Sequence, residues 1–159
     1  MSKIYPCLWF DGEAEEAARF YVSLLPDSKI EHVQKNTVDS PAGKAGSVLV
    51  EFTLAGQRFM ALNGGKAFDF THAISFKIDC ADQAEVDRYW DALSERGSVE
   101  QCGWLKDRYG VSWQIVPTAL VQYLGGPDAA GAQRAMQAMM KMIKLDIAGL
   151  KQAYEGKPA

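Results

Sequence analysis

Apolar and polar positions along this chain switch between a period of two and a period near 3.6, in the same order twice. Residues 4–10 are apolar and aromatic and run into Asp11-Gly12, which predicts a strand ending in a turn. From residue 13 to 25 the apolar positions Ala14, Ala17, Ala18, Tyr21, Leu24 and Leu25 fall three and four apart, and Pro26-Asp27 marks the stop. That spacing predicts an amphipathic helix. Residues 30–34, 47–54 and 58–63 read as strands, the last two joined at Ala55-Gly56 as a hairpin. A second unit opens at residues 72–79, where Ile74, Phe76 and Ile78 alternate with Ser75 and Lys77. Asp82 with Glu85 three positions on forms a capping-box signature, and Val86, Tyr89, Trp90 and Leu93 supply the buried stripe of a helix that stops at Gly97. Short strands over 99–101, 103–106 and 112–116, ended by Pro117, complete a second β-α-β-β-β series.

Residue echoes support a duplication. Arg19-Phe20-Tyr21 with Leu24 recurs as Arg88-Tyr89-Trp90 with Leu93, at an offset of 69 (88 − 19). Gly56-Gln57-Arg58-Phe59-Met60-Ala61-Leu62 is echoed by Gly110-Val111-Ser112-Trp113-Gln114-Ile115-Val116, at an offset of 54 (110 − 56). The second copy is shorter by about one loop, matching residues 36–46, where Asp39-Ser40-Pro41-Ala42-Gly43 has turn chemistry. Two small units that cannot each bury an apolar face alone are expected to pack together and leave a cleft. The expected organisation is one domain over 1–159: module one about 1–66, module two about 67–117, and a helical tail about 118–159. In the tail, Asp128 caps a helix carrying Ala135, Met136, Met139, Met140 and Ile143, and Ile147, Leu150 and Tyr154 continue its apolar face. These residues are expected to pack the tail onto its own sheet or a second subunit, in preference to forming an adaptable docking surface.

Composition narrows the function classes. A chain of 159 residues, 48% of them hydrophobic, suffices for one well-packed domain. A net charge of −3 with scattered Lys and Arg offers no footprint for nucleic acid or an anionic membrane, and neither partner is expected. Three cysteines, Cys7, Cys80 and Cys102, with no Cys-x-x-Cys pair, indicate neither a disulfide framework nor a thiolate zinc site. The start of the chain lacks the apolar core of a signal peptide, and no run approaches the roughly 20 apolar residues of a membrane span. A cytoplasmic protein is the expectation.

Four segments carry a family resemblance: Leu8-Trp9-Phe10-Asp11, Asn63-Gly64-Gly65, Cys102-Gly103-Trp104-Leu105-Lys106-Asp107 and Tyr109-Gly110-Val111-Ser112-Trp113-Gln114-Ile115-Val116-Pro117. Together they resemble the PhnB-like branch of the vicinal-oxygen-chelate superfamily, whose members often carry the label 3-demethylubiquinone-9 3-methyltransferase. The resemblance extends into the Asp146-Ile147-Ala148 tail. It implies an α+β fold of paired βαβββ modules, each a curved mixed sheet as in glyoxalases, with a C-terminal helical tail. It also implies a homodimer.

The resemblance further implies a place for a divalent metal, with one ligand on the first and one on the last strand of each module, typically His or Glu. Here module two offers His72 and Gln114, and the internal offsets give Lys3 or Ile4 and Met60 in module one. Lysine repels a cation, isoleucine has no donor, and a thioether suits soft metals, so no metal and no cofactor are expected. The polar and aromatic set Trp9, Asn63, Ser75, Trp104, Lys106, Asp107, Ser112 and Gln114 is the expected lining of a cup between the modules. Trp9, Asn63, Ser75, Trp104, Lys106 and Gln114 are its ligand-binding candidates. The plainer alternative makes the tryptophans core and Lys106-Asp107 a solvated turn.

His72, beside Thr71, is expected to be hydrogen-bonded or solvated before it is a base. Cys102 is expected to be a small buried hydrophobe, although Gly103 permits close approach and Lys106 lies in the same strand pair. Asn63-Gly64-Gly65 reads as a turn or an anion-holding nest. Methyl transfer finds no support, because no glycine-rich turn joins a strand to a helix in an alternating α/β pattern. The reading is therefore a metal-independent small-molecule binding protein. The alternatives are an isomerase, lyase or dioxygenase using a weakly held metal or an acid/base pair, and a dimeric scaffold whose tail helix binds a partner.

Overall fold

Pro6 has no N–H to give a ladder, and the first strand, β1 (Cys7–Phe10), starts just after it in the computed structural model. Residues 2–39, 44–46 and 48–158 are described. The expected strand over 4–10 is thus shorter, and Ile4 is 84% exposed. Then come α1 (Ala14–Leu24), β2 (Lys29–Lys35), β3 (Val48–Leu54) and β4 (Gln57–Asn63). Leu25 is extended, as the residue before a proline tends to be, and ends α1. The sheet order is β1-β4-β3-β2, with β1 parallel to β4 and the other pairs antiparallel. Ala55 and Gly56, at φ of 46° and 79°, make the expected β3–β4 hairpin turn. In the long β2–β3 connection, residues 40–43 of the expected loop lie outside the described residues. Gly46 N–H donates to Asn36 O at 2.8 Å.

Unit two repeats the order: β5 (Phe76–Cys80), α2 (Gln83–Ser94), β6 (Ser98–Val99), β7 (Trp104–Lys106) and β8 (Ser112–Pro117) form a sheet β5-β8-β7-β6. The compact units are Met1–Asp69 and Phe70–Ala159, each an α+β βαβββ module. In each, alternate strand residues face the helix. Leu8, Phe10, Val50, Phe52, Phe59 and Ala61 are buried with Ala14, Ala17, Ala18 and Tyr21 of α1 in the first. Ile78, Cys80, Leu105, Trp113 and Ile115 are buried with Val86, Tyr89, Trp90 and Leu93 of α2 in the second. Full burial of each large apolar side chain contributes about 1.5–3 kcal/mol, which holds helix to sheet.

The capping box forms as expected: Asp82 Oδ1 accepts Glu85 N–H at 2.9 Å, and Glu85 Oε2 accepts Ala81 N–H at 2.7 Å. Two strand expectations are corrected. Residues 72–75 are not in a strand, and Ile74 is 74% exposed, because the partner β8 begins at Ser112 and its pairing with β5 starts at Phe76–Trp113. The expected strand over 99–101 shrinks to Ser98–Val99 because the chain turns there, with Glu100 N–H on Trp104 O and Trp104 N–H on Gln101 O.

The tail forms α3 (Leu120–Leu124), α4 (Ala129–Met139) and α5 (Ile147–Glu155), not one long apolar face. Asp128 gives no capping bond and instead approaches Arg134, at 3.6 Å. Asp146 caps α5 by accepting Ala148 N–H at 3.0 Å. Ala135, Leu145 and Leu150 are buried, whereas Met136, Met140 and Ile143 are exposed, so only part of the methionine cluster packs within its own unit. The tail is tied to the module by polar bonds. Gln83 Nε2 donates to Leu145 O at 3.1 Å and its Oε1 accepts Ile147 N–H at 2.9 Å, while Lys144 pairs with Asp87 at 2.9 Å. That ammonium holds the Asp87 carboxyl below its ordinary value.

Candidate functional site

Residues directly opposite in a ladder share a face, so strand register decides what the side of the second sheet turned away from α2 displays. Gln114, on the inner strand β8, lies between Lys77 of β5 and Trp104 of β7, and the next pair on the same face of β7 and β8 is Lys106–Ser112. All of these lie opposite the α2-packed face of Leu105, Trp113 and Ile115. Gln114 Nε2 donates to Ser75 Oγ at 2.9 Å, which draws Ser75 to the same place although it precedes the strand. Four of the six ligand-binding candidates, Ser75, Trp104, Lys106 and Gln114, are therefore gathered on one face. Trp104, Lys106 and Gln114 are each partly buried.

Ser112 adds an unspent group. Its side chain is 1% exposed and its Oγ has no hydrogen-bond partner among the described residues, a state that costs roughly 1–3 kcal/mol. Lys77 on this face is neutralised by Asp79 at 2.5 Å, whereas the Lys106 ammonium has no carboxylate at ion-pair distance among the described residues. Asp107 is not part of a solvated turn. It is 3% exposed and accepts from Tyr109 N–H, Val111 N–H and Trp113 Nε1–H, so it organises the β7–β8 connection.

The other two candidates belong to unit one. Trp9 Nε1 donates to Gly65 O at 2.8 Å, and its ring meets Phe68 edge-on at 5.1 Å. A Cβ on Gly64 would lie 2.0 Å from the Trp9 ring, so glycine is required there by the close approach of the indole. Asn63 is in register with Phe10, on the helix side, and its Oδ1 accepts Ala14 N–H at 2.8 Å. It caps α1 from a neighbouring strand, a task that Glu13 leaves undone. Asp11, Gly12, Lys44, Asn63, Gly64 and Gly65 line a cleft of about 250 Å³.

His72 pairs through Nε2 with Glu100 Oε1 at 2.5 Å, and its side chain is 53% exposed. Sequence reasoning missed Glu100, because the contact spans 28 residues and no motif joins the two. Cys102 adopts a left-handed backbone at φ of 59°, its N–H bonds to Met142 O at 2.8 Å, and its thiol lies 3.6 Å from Met139 O. Gly103, at φ of 83°, donates to Ile143 O, and a Cβ there would lie 2.8 Å from Ile115 O. The Cys102-Gly103 pair is thus the seat of the tail.

These positions can be set against known proteins. A family model described as 3-demethylubiquinone-9 3-methyltransferase matches residues 2–116. The PhnB protein of Bacillus cereus is 36% identical over 74% of this chain and 100% of its own length, with a TM-score of 0.67. The chain belongs to this family. It is a PhnB-like member of that family. A Pseudomonas aeruginosa protein, 22% identical over 74% of this chain and 98% of its own, has a TM-score of 0.57 and shares the fold. So does the fosfomycin resistance protein FosX of Listeria monocytogenes, 16% identical over 79% of this chain and 99% of its own, with a TM-score of 0.54. No curated protein matches the chain.

One FosX structure holds Mn(II), which makes the donor set of this PhnB-like chain worth testing for a metal. Met60 and Gln114 do occupy matching places, each on the strand beside the parallel edge strand. The opening strands are offset by 70, since Cys7 faces Met60 as Lys77 faces Gln114, so the counterpart of His72 is Ser2 and not Lys3 or Ile4. The offset was open in sequence because the opening strands share no echoed residues. Ser2 Oγ already donates to Ile4 O, Met60 brings a thioether, and the Gln114 amide nitrogen is engaged by Ser75. Such a set does not fit a hard divalent ion. Among the described residues, no group of three or more His, Cys, Asp or Glu is placed to hold one.

Proposed function

We propose that this PhnB-like protein is a metal-independent small-molecule binding protein that holds an aromatic or amphipathic ligand on the Trp104–Gln114 face of its second sheet. The observation that carries the reading is that register pair. A partly buried indole stands beside a partly buried amide whose nitrogen is fixed by Ser75, leaving its carbonyl oxygen for a ligand donor. An apolar aromatic wall with a few oriented polar groups is the make-up of small-ligand sites. The family description names a methyltransferase, but the two mixed sheets differ from the doubly wound parallel sheet that seats nucleotide-type cofactors, and function follows the site more than the family label.

The test is a fluorescence titration with the neutral amphipathic probe N-phenyl-1-naphthylamine. The wild type is expected to bind it saturably, and Trp104→Ala to bind at least about tenfold more weakly, in line with loss of a buried aromatic contact. No saturable binding by the wild type, or equal binding by the variant, would remove the reading.

A further inference from the structure

We propose that the same face selects aromatic ligands bearing an anionic group at one end and a hydrogen-bond donor at the other, with Lys106 as the partner of the anion. This rests on the small-molecule reading above. Two polar side chains stand directly across the β7–β8 ladder from each other: the partly buried Lys106, whose ammonium has no carboxylate at ion-pair distance among the described residues, and Ser112, 1% exposed and with no hydrogen-bond partner for its Oγ among them. A ligand carboxylate that accepts from the Lys106 ammonium forms a charge-assisted hydrogen bond, whereas the Ser112 hydroxyl is closed off from the surface and is not reached by it. Lys77 does not compete for the anion, since Asp79 neutralises it.

One ladder step away, the Trp104 ring supplies an aromatic wall and Gln114 keeps its carbonyl oxygen. Lys106 and Gln114 are diagonal neighbours on one face, with Cα atoms roughly 7–8 Å apart across the ladder. Side chains rooted at that spacing can address opposite ends of a para-substituted benzene ring. The face thus reads a charge at one end of such a ring and a donor at the other.

Calorimetric titrations with 4-hydroxyphenylacetate, its neutral amide 4-hydroxyphenylacetamide, and phenylacetate test this. The acid is expected to bind about tenfold more tightly than the amide, as one charge-assisted hydrogen bond supplies, and more tightly than phenylacetate, which lacks the donor. Lys106→Met should erase the preference for acid over amide, and Lys106→Arg should keep it. Equal binding of acid and amide, or a preference that survives Lys106→Met, would overturn the inference. If N-phenyl-1-naphthylamine binds the same protein in either case, only the anion selectivity fails. If neither the probe nor any of the three compounds binds, the binding reading itself fails with it.

Discussion

Asp107 Oδ2 accepts the indole N–H of Trp113 at 2.9 Å, while Oδ1 takes the backbone N–H groups of Tyr109 and Val111 at 2.8 and 3.1 Å. One buried carboxylate thus closes the turn that sets the β7–β8 register, and with it the pairing of Trp104 and Lys106 with Gln114 and Ser112. Replacing Asp107 by Ala strands these donors and is expected to lower unfolding free energy by about 3 kcal/mol. Asp107→Asn keeps one acceptor but turns an amide NH₂ toward a donor, and should cost about half as much. Urea denaturation of both variants measures this, and equal stability of wild type and Asp107→Ala would contradict it.

Burial, with the carboxylates of Glu85 and Asp79 adding to it, pushes the Cys80 thiol from 9.0 up to about 11. The folded state therefore holds this proton more tightly than the unfolded chain. Its contribution is fully present below pH 9 and is lost as pH rises towards 11. The loss is roughly 2 kcal/mol, and Cys80→Ala should flatten that part of the stability curve relative to wild type. Parallel pH-dependent denaturation curves for the two proteins would refute this assignment. The buried thiol should also resist aromatic disulfide reagents at neutral pH until the protein unfolds.

Gly64 and Trp9 form a coupled pair, since a Cβ at residue 64 would enter the indole ring. Gly64→Ala is expected to destabilise the protein by about 1–3 kcal/mol through overpacking and loss of the Trp9–Gly65 bond. In a Trp9→Ala background the same substitution should cost well under 1 kcal/mol, because the clash is gone. Additive costs in this double-mutant cycle would show that the ring is not what requires the glycine.

Gln114→Glu places a carboxylate where the family resemblance implies a metal ligand on the last strand of the second module. Metal analysis of the purified variant after dialysis against Mn(II) is expected to show less than stoichiometric retention, because Met60 and Ser2 bring no hard anionic donor. Stoichiometric retention would mean that one residue alone separates this chain from metal binding.

Short-range signals were the most legible. The Asp82–Glu85 capping box, the Ala55-Gly56 turn and the repeated element order each depend on residues close in sequence, and all three are present. What failed depended on a distant partner. Ile74 continues an alternating pattern, but β8 gives it nothing to pair with. Asp107, read as cup lining or alternatively as part of a solvated turn, is instead buried, because the folded hairpin brings Trp113 onto its carboxylate. Asn63 lines the unit-one cleft, but its bond to Ala14 N–H, which caps α1 from 49 residues away, was not legible. Ser75, Trp104, Lys106 and Gln114 were legible by residue type, but their common face was not, because a slip of one residue in register exchanges the two faces of a strand.

The most direct test is a two-dimensional ¹H–¹⁵N spectrum of the tryptophan indole and glutamine side-chain groups, recorded while N-phenyl-1-naphthylamine is added. Trp9, Trp90, Trp104 and Trp113 give separate indole signals, and Trp104→Phe and Gln114→Asn assign the two that matter. Saturable shifts of the Trp104 indole and the Gln114 side-chain amide are expected, with the buried Trp90 and Trp113 signals little changed. Stationary Trp104 and Gln114 signals at saturating probe, or shifts confined to the other tryptophans, would contradict the placement of the ligand on the second sheet.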